Sequence, residues 1–153
     1  MIIRKCEYSD VDTVYNLICE LEDTKFVYED FRKIFNNKIN DSSNYFILCL
    51  DNDNIIGFLS LNIEYQLHHV SKVATIEELI VSSKYRSNGA GKLLLDNAIS
   101  YAKKQKCTII ELTSSFERER AHNFYIKNGF KKGSFKFKMS LDSFRLWYIV
   151  LSM

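Results

Sequence analysis

Ile76-Glu-Glu-Leu-Ile-Val-Ser-Ser-Lys-Tyr-Arg86-Ser-Asn-Gly89-Ala-Gly-Lys92 is the stretch whose reading decides the fold. Its first half is an apolar run bounded by polar residues, which reads as a strand. A short loop carrying Arg86 follows, then Gly89-Ala90-Gly91 opens a helix expected over 90–105, with Leu94, Ala98, Tyr101 and Ala102 on one face. A helix start presents unpaired N–H groups and the positive end of the helix dipole. Small residues let a phosphate approach that backbone, and Arg86 and Lys92 add positive charge. The spacing is neither the P-loop G-x-x-x-x-G-K-S/T, because Leu93 follows Lys92, nor the dinucleotide G-x-G-x-x-G. On these residues alone, a plain strand-to-helix turn stands beside the phosphate site.

Working outward, Ile2 to Cys6 reads as a strand, and Ser9 as the N-cap of a helix bearing Val14, Leu17, Ile18 and Leu21 on one stripe. A second helix is expected over 28–39. Tyr45–Leu50 and Ile55–Ile63 form a hairpin about the polar turn 51–54, and Val73–Val81 is the next strand. Cys107–Leu112 is a strand, Glu117–Asn128 a helix ended by Gly129, and the alternation of Phe135, Phe137 and Met139 predicts a last strand. The order is that of an α/β domain on one mixed sheet, a single domain over 1–153.

Composition narrows the function classes. The chain has 153 residues, 46% apolar and 26% charged, with 21 Lys+Arg against 19 Asp+Glu. That is globular composition, and the near balance of charge argues against nucleic acid as a partner. Cys6, Cys19, Cys49 and Cys107 form no C-x-x-C pair, which predicts free thiols in a reducing compartment rather than a zinc or redox site. The N-terminus has no apolar signal-like core, and the longest apolar run, Leu146–Leu151, is far short of the roughly 20 residues of a membrane span. A cytoplasmic protein without a membrane partner is expected. The apolar extension 142–153 has to be covered, by adding an edge strand to its own sheet or by pairing across a homodimer.

Arg86-Ser87-Asn88-Gly89-Ala90-Gly91 matches the R/Q-x-x-G-x-G/A diphosphate motif of the GNAT N-acetyltransferases, and it follows a strand of the type E-L-x-V, Glu78-Leu79-Ile80-Val81. A second segment of that family, Ala121-His-Asn-Phe-Tyr125-Ile-Lys-Asn-Gly129-Phe130, comes at the expected distance. The chain therefore resembles that family over nearly its whole length. Val14–Leu21, Leu67-His-His-Val70, Arg118, Phe124-Tyr125 and Phe135 with Phe137 resemble the members that acetylate aminoalkylphosphonates.

The resemblance implies six to seven strands flanked by about four helices, with two parallel central strands splayed to admit acetyl-CoA. It implies backbone bonds from Leu79, Ile80 and Val81 to the pantetheine arm, and the diphosphate on Arg86, Ser87, Asn88, Gly89, Ala90, Gly91 and Lys92. Asn123 matches a further cofactor position. The co-reactant would be a small amine, an aminoalkylphosphonate first, with aminoglycosides, polyamines and amino acids as rivals; a CoA-binding sensor without catalysis is the alternative class.

An ammonium must lose a proton before it attacks, so a carboxylate base is needed. Glu78 is the candidate and Glu77 the alternate, because strand alternation decides which faces inward. Tyr125 matches the family's general acid; its other reading is a core tyrosine beside Phe124. A phosphonate calls for a bidentate Arg, for which Arg118 is the candidate. His68 and His69 read first as a structural pair; the functional alternative is that one of them contacts the phosphonate or a bridging divalent ion.

Overall fold

The computed structural model describes residues 1–141; the apolar extension 142–153, with its expected edge strand or dimer contact, lies outside the described residues. The chain divides into two compact units, Met1–Leu112 and Thr113 onward.

In the first unit, β1 (Ile2–Lys5) leads through a 3-10 turn (Tyr8–Asp10) into α1 (Val11–Glu22). The expected N-cap, Ser9, does not cap it. Instead Glu7 and Asp10 form a reciprocal capping box on the 3-10 turn, with the Glu7 N–H donating to Asp10 Oδ2 at 2.7 Å. Arg4 donates to both Asp10 oxygens, at 2.8 Å each. A carboxylate can accept all three bonds at this buried corner, where a serine hydroxyl cannot match that capacity.

Then come α2 (Tyr28–Asn40), β2 (Asn44–Asp51), β3 (Asn54–Gln66), β4 (Ser71–Val81), α3 (Ala90–Lys104) and β5 (Ile109–Leu112). Asn52 and Asp53 both take positive φ, 46° and 67°, the geometry that a two-residue turn between twisted antiparallel strands requires. The sheet runs β1-β2-β3-β4-β5, antiparallel except for the β4–β5 pair.

Alternation divides the sheet into two apolar faces. Phe46, Leu48, Leu50, Phe58 and Ile80 pack with Val14 and Leu17 of α1 and Phe35 of α2. On the other face, α3 buries Leu94, Leu95 and Ala98 against the sheet. Gly57 permits that approach, since a Cβ there would lie 2.9 Å from the Ile80 carbonyl oxygen and 3.0 Å from Leu94 Cδ1. All four cysteines are free thiols; Cys6 and Cys49 are buried, while Cys19 and Cys107 are only half-buried.

The second unit holds α4 (Glu119–Lys127), so the described residues carry four α-helices, as expected. Among the described residues the sheet has five strands rather than six or seven. No strand forms at Phe135–Met139: Phe135, Phe137 and Met139 are 79%, 93% and 84% exposed. Alternation alone does not make a strand, because its backbone groups need a neighbouring edge to pair with. Consequently β5 is an edge strand among the described residues, not a central one. No helix among the described residues is long and apolar enough to cross a membrane.

The Asp10 corner yields a measurable expectation. Arg4 holds the Asp10 carboxyl below its ordinary value of 3.8. A depressed carboxyl stabilises the fold above its unfolded pKa and loses that contribution as pH falls through the folded value. Asp10→Ala should therefore cost about 1–3 kcal/mol in urea unfolding at pH 7, and the gap from wild type should close as the pH is taken below 3.8.

Candidate active site

The site starts from a break in strand register. Ser60 pairs with Glu78, but the next pair is Leu61 with Ile76, so Glu77 is an extra residue and β4 bulges there. The bulge decides between the two adjacent glutamates, because simple alternation no longer applies. Glu77 is exposed and ion-paired with Lys38 of α2. Glu78 turns towards the α1–α2 side and lines a cavity of about 80 Å³ with Val14, Ile18, Phe31, Phe35, Phe58 and Lys38. The fully buried Ser60 hydroxyl donates to Glu78 Oε2 and accepts from the Glu78 N–H at 3.1 Å. Desolvation raises the Glu78 pKa above the ordinary value of 4.5, opposed by the Ser60 bond and reinforced by Glu77.

The far end of β4 has an open side. β5 pairs with Val73 to Ile76 and stops. The Ser82 N–H bonds the Ile56 carbonyl on the β3 side at 2.9 Å, so Glu78 and Ile80 also face β3, whereas Leu79 and Val81 direct their N–H and C=O groups to the unpaired side. Among the described residues no strand covers that side beyond Ile76. The parallel pairing covers four registered pairs and stops at Ile76 with Leu112, where β5 itself ends. Of the three expected pantetheine contacts, Ile80 commits its backbone to the β3 ladder.

At the strand's end a 3-10 turn (Ser83–Tyr85) leads to the loop. Arg86 Nε donates to the Val81 carbonyl at 3.1 Å, and the guanidinium lies 3.6 Å from Glu20 Oε1 of α1. Glu20 Oε1 also accepts the Ser83 N–H at 2.6 Å. Asn88 Oδ1 accepts the Ala90 N–H at 3.2 Å, and Gly89, with φ of 94°, enters α3 through a conformation that favours glycine. Arg86, Ser87, Asn88, Gly89 and Lys92 are exposed, Gly91 is half-buried and Ala90 is buried. Lys92 is ion-paired with Asp96 one turn on, so its charge is shared along the helix surface.

His68 and His69 occupy the tip of the β3–β4 hairpin, in a turn rather than a strand, with ring centroids 4.2 Å apart. From the tip, β4 runs seven residues from Ser71 to Glu78, roughly 23 Å at about 3.3 Å per residue. The structure does not bring the histidines to Glu78. Among the described residues no three His, Cys, Asp or Glu side chains are grouped to hold a metal ion, so the expected divalent ion finds no ligand set there.

In the second unit, Arg118 is the residue preceding α4, and Asn123 is exposed on that helix. Tyr125 packs between Phe124 and Phe130, with ring centroids at 5.3 and 5.6 Å. Burial pushes its phenol up to about 12 against the opposing charge of Arg118. The aromatic contacts of the core reading and a protonated phenol coexist in this one residue.

Sequence reasoning missed Ser60, Glu20 and Lys38. Ser60 had a signal, a lone hydroxyl between Leu59 and Leu61 in an apolar strand. Glu20 and Lys38 had none, because their partners lie far along the chain.

Residues 11–130 match the family model of the Acetyltransferase (GNAT) family. The aminoalkylphosphonate N-acetyltransferase of Salmonella typhimurium is 33% identical over 139 residues, covering 91% of this chain and 90% of that protein. Among solved structures, a transcriptional regulator from Bacillus halodurans superposes with a TM-score of 0.83 at 26% identity, covering 92% of this chain and 99% of the other. A GNAT family acetyltransferase of Staphylococcus aureus shares the fold at a TM-score of 0.73 and 22% identity, covering 92% and 98%. With the bulged β4, the opening beside it and the glycine-led helix start in place, the chain belongs to the GNAT family of acetyltransferases and is an acyltransferase enzyme.

Proposed function

We propose that the protein transfers the acetyl group of acetyl-CoA to the primary amine of a small molecule, an aminoalkylphosphonate in the first instance, with Glu78 as the base. The observation that carries the chemistry is a half-buried carboxylate of raised pKa at the bulge, beside the open side of β4. The acceptor class is supported by the 33% identity that extends over 91% of the chain.

An alkylammonium has a pKa of about 10, so about one molecule in a thousand is free base at pH 7. Glu78 accepts the ammonium proton, and its raised pKa makes it a better acceptor than an exposed glutamate. The nitrogen lone pair then attacks the thioester carbonyl; the N–C bond forms and the C–S bond breaks. N–H groups on the open side of β4, at Leu79 and Val81, suit the developing oxyanion and the pantetheine arm. The diphosphate lies on Arg86–Lys92, where the helix start favours an anion.

From the second unit, three residues enter by their match to the family's motif. Tyr125 gives its proton to the departing thiolate and regains the one that the nitrogen loses; a phenol pushed up to about 12 stays protonated through the neutral range. Arg118 pairs with the phosphonate, and Asn123 contacts the cofactor. His68 and His69, a strand length from Glu78, take no part.

The test is CoA release from acetyl-CoA with aminomethyl-, 1-aminoethyl- and 2-aminoethylphosphonate, spermidine, kanamycin and free amino acids. Selective turnover of the phosphonates is expected. Turnover with cationic amines alone would remove the phosphonate assignment, and no turnover despite tight CoA binding would leave a CoA sensor. Glu78→Gln should lower kcat/KM by about 10²–10⁴-fold. Since the base works deprotonated, wild-type kcat/KM should fall as the pH drops through a pKa above 4.5, and this limb should vanish in the variant. Tyr125→Phe should lower kcat while CoA affinity, read by calorimetry, is retained.

A further inference from the structure

We infer that Glu20, on α1 and outside the diphosphate motif itself, is the positioning residue of the cofactor loop. The inference rests on the reading that the 86–92 loop holds the CoA diphosphate. One carboxylate oxygen, Glu20 Oε1, makes two connections to the segment between β4 and α3. It accepts the Ser83 N–H at 2.6 Å, which fixes the first residue of the 3-10 turn, and it stands 3.6 Å from the Arg86 guanidinium. On its opposite side Arg86 is held by the Val81 carbonyl through Nε at 3.1 Å. The guanidinium is thereby clamped between a strand end and a helix, and its planar fork keeps N–H groups for an incoming anion.

The choice of a glutamate is informative. A negative charge beside a diphosphate site is unfavourable for the anion itself. Its placement makes sense as a cost offset by order: an exposed Arg side chain carries about 2 kcal/mol of rotamer freedom, and restraining it before the ligand arrives removes much of that loss on binding. Glu20 also ties two parts of the site into one body. Val14 and Ile18, on the same helix, line the Glu78 cavity, so α1 carries the wall of the acid–base cavity and the anchor of the loop.

The test is calorimetric titration with CoA of wild type, Glu20→Ala, Glu20→Gln, Arg86→Ala and the Glu20→Ala/Arg86→Ala double variant. Glu20→Ala is expected to raise the Kd about tenfold, the scale of one charge-assisted hydrogen bond. Glu20→Gln, whose amide oxygen still accepts the Ser83 N–H, is expected to stay within about threefold. In the Arg86→Ala background, removing Glu20 should add less than about twofold, because the two residues act as one unit. A Glu20→Ala Kd within about twofold of wild type, or effects that simply multiply in the double variant, would overturn the inference. Should Glu20→Ala fail to fold, a tenfold loss in the folded Glu20→Gln protein would overturn it as well. A wild-type protein that does not bind CoA would overturn the reading of the loop itself, and the inference with it.

Discussion

Everything at the candidate site hangs on one extra residue in β4. With regular pairing, Glu77 and Glu78 would alternate faces, and one of them would be driven into the core or out to solvent along with its whole register. The bulge absorbs Glu77 as an unpaired residue, lets it reach Lys38, and leaves Glu78 opposite Ser60. Ser60 makes the arrangement tolerable. Its buried hydroxyl bonds both the backbone N–H and the carboxylate of Glu78, so neither polar group is stranded in an apolar strand. Burial by Phe35, Phe46 and Phe58 can then raise the carboxyl's pKa without an unpaired acid in the core.

The bulge also falls where β5 stops pairing, after Ile76. Upstream of it, β4 pairs with a strand on both edges; downstream, among the described residues, β3 is its one strand partner and Arg86 bonds the Val81 carbonyl. The same short stretch therefore supplies a perturbed carboxylate on one face and free backbone groups on one edge. Group transfer needs both, a proton acceptor and donors for the developing oxyanion.

Two ion pairs from the flanking helices complete the frame, Lys38 on Glu77 and Glu20 on Arg86. Part-exposed pairs of this kind contribute little to stability. Their value here is geometric, since each fixes a charged side chain next to the working part of the sheet. The Arg4–Asp10 corner differs, because Asp10 is buried and its carboxylate accepts three bonds, which sets where α1 begins and with it the position of Val14, Ile18 and Glu20.

The sequence by itself determined the helices, the hairpin and the glycine-led start of α3, because these follow from local periodicity and from φ values that favour glycine. It also determined the family, through Arg86–Gly91 and Ala121–Phe130. Three things were decided only in three dimensions. The choice between Glu77 and Glu78 depended on a bulge, which no period-two pattern encodes. Ser9 does not cap α1; the helix follows a 3-10 turn whose capping box is Glu7 with Asp10, and Arg4 of β1 holds the Asp10 carboxylate. The strand expected at Phe135–Met139 did not form, since alternation specifies a face but not a partner edge. The bulge joins strands far apart in the chain, the Asp10 corner needs β1 brought to the start of α1, and a strand needs a partner edge; local pattern carries no term for any of these.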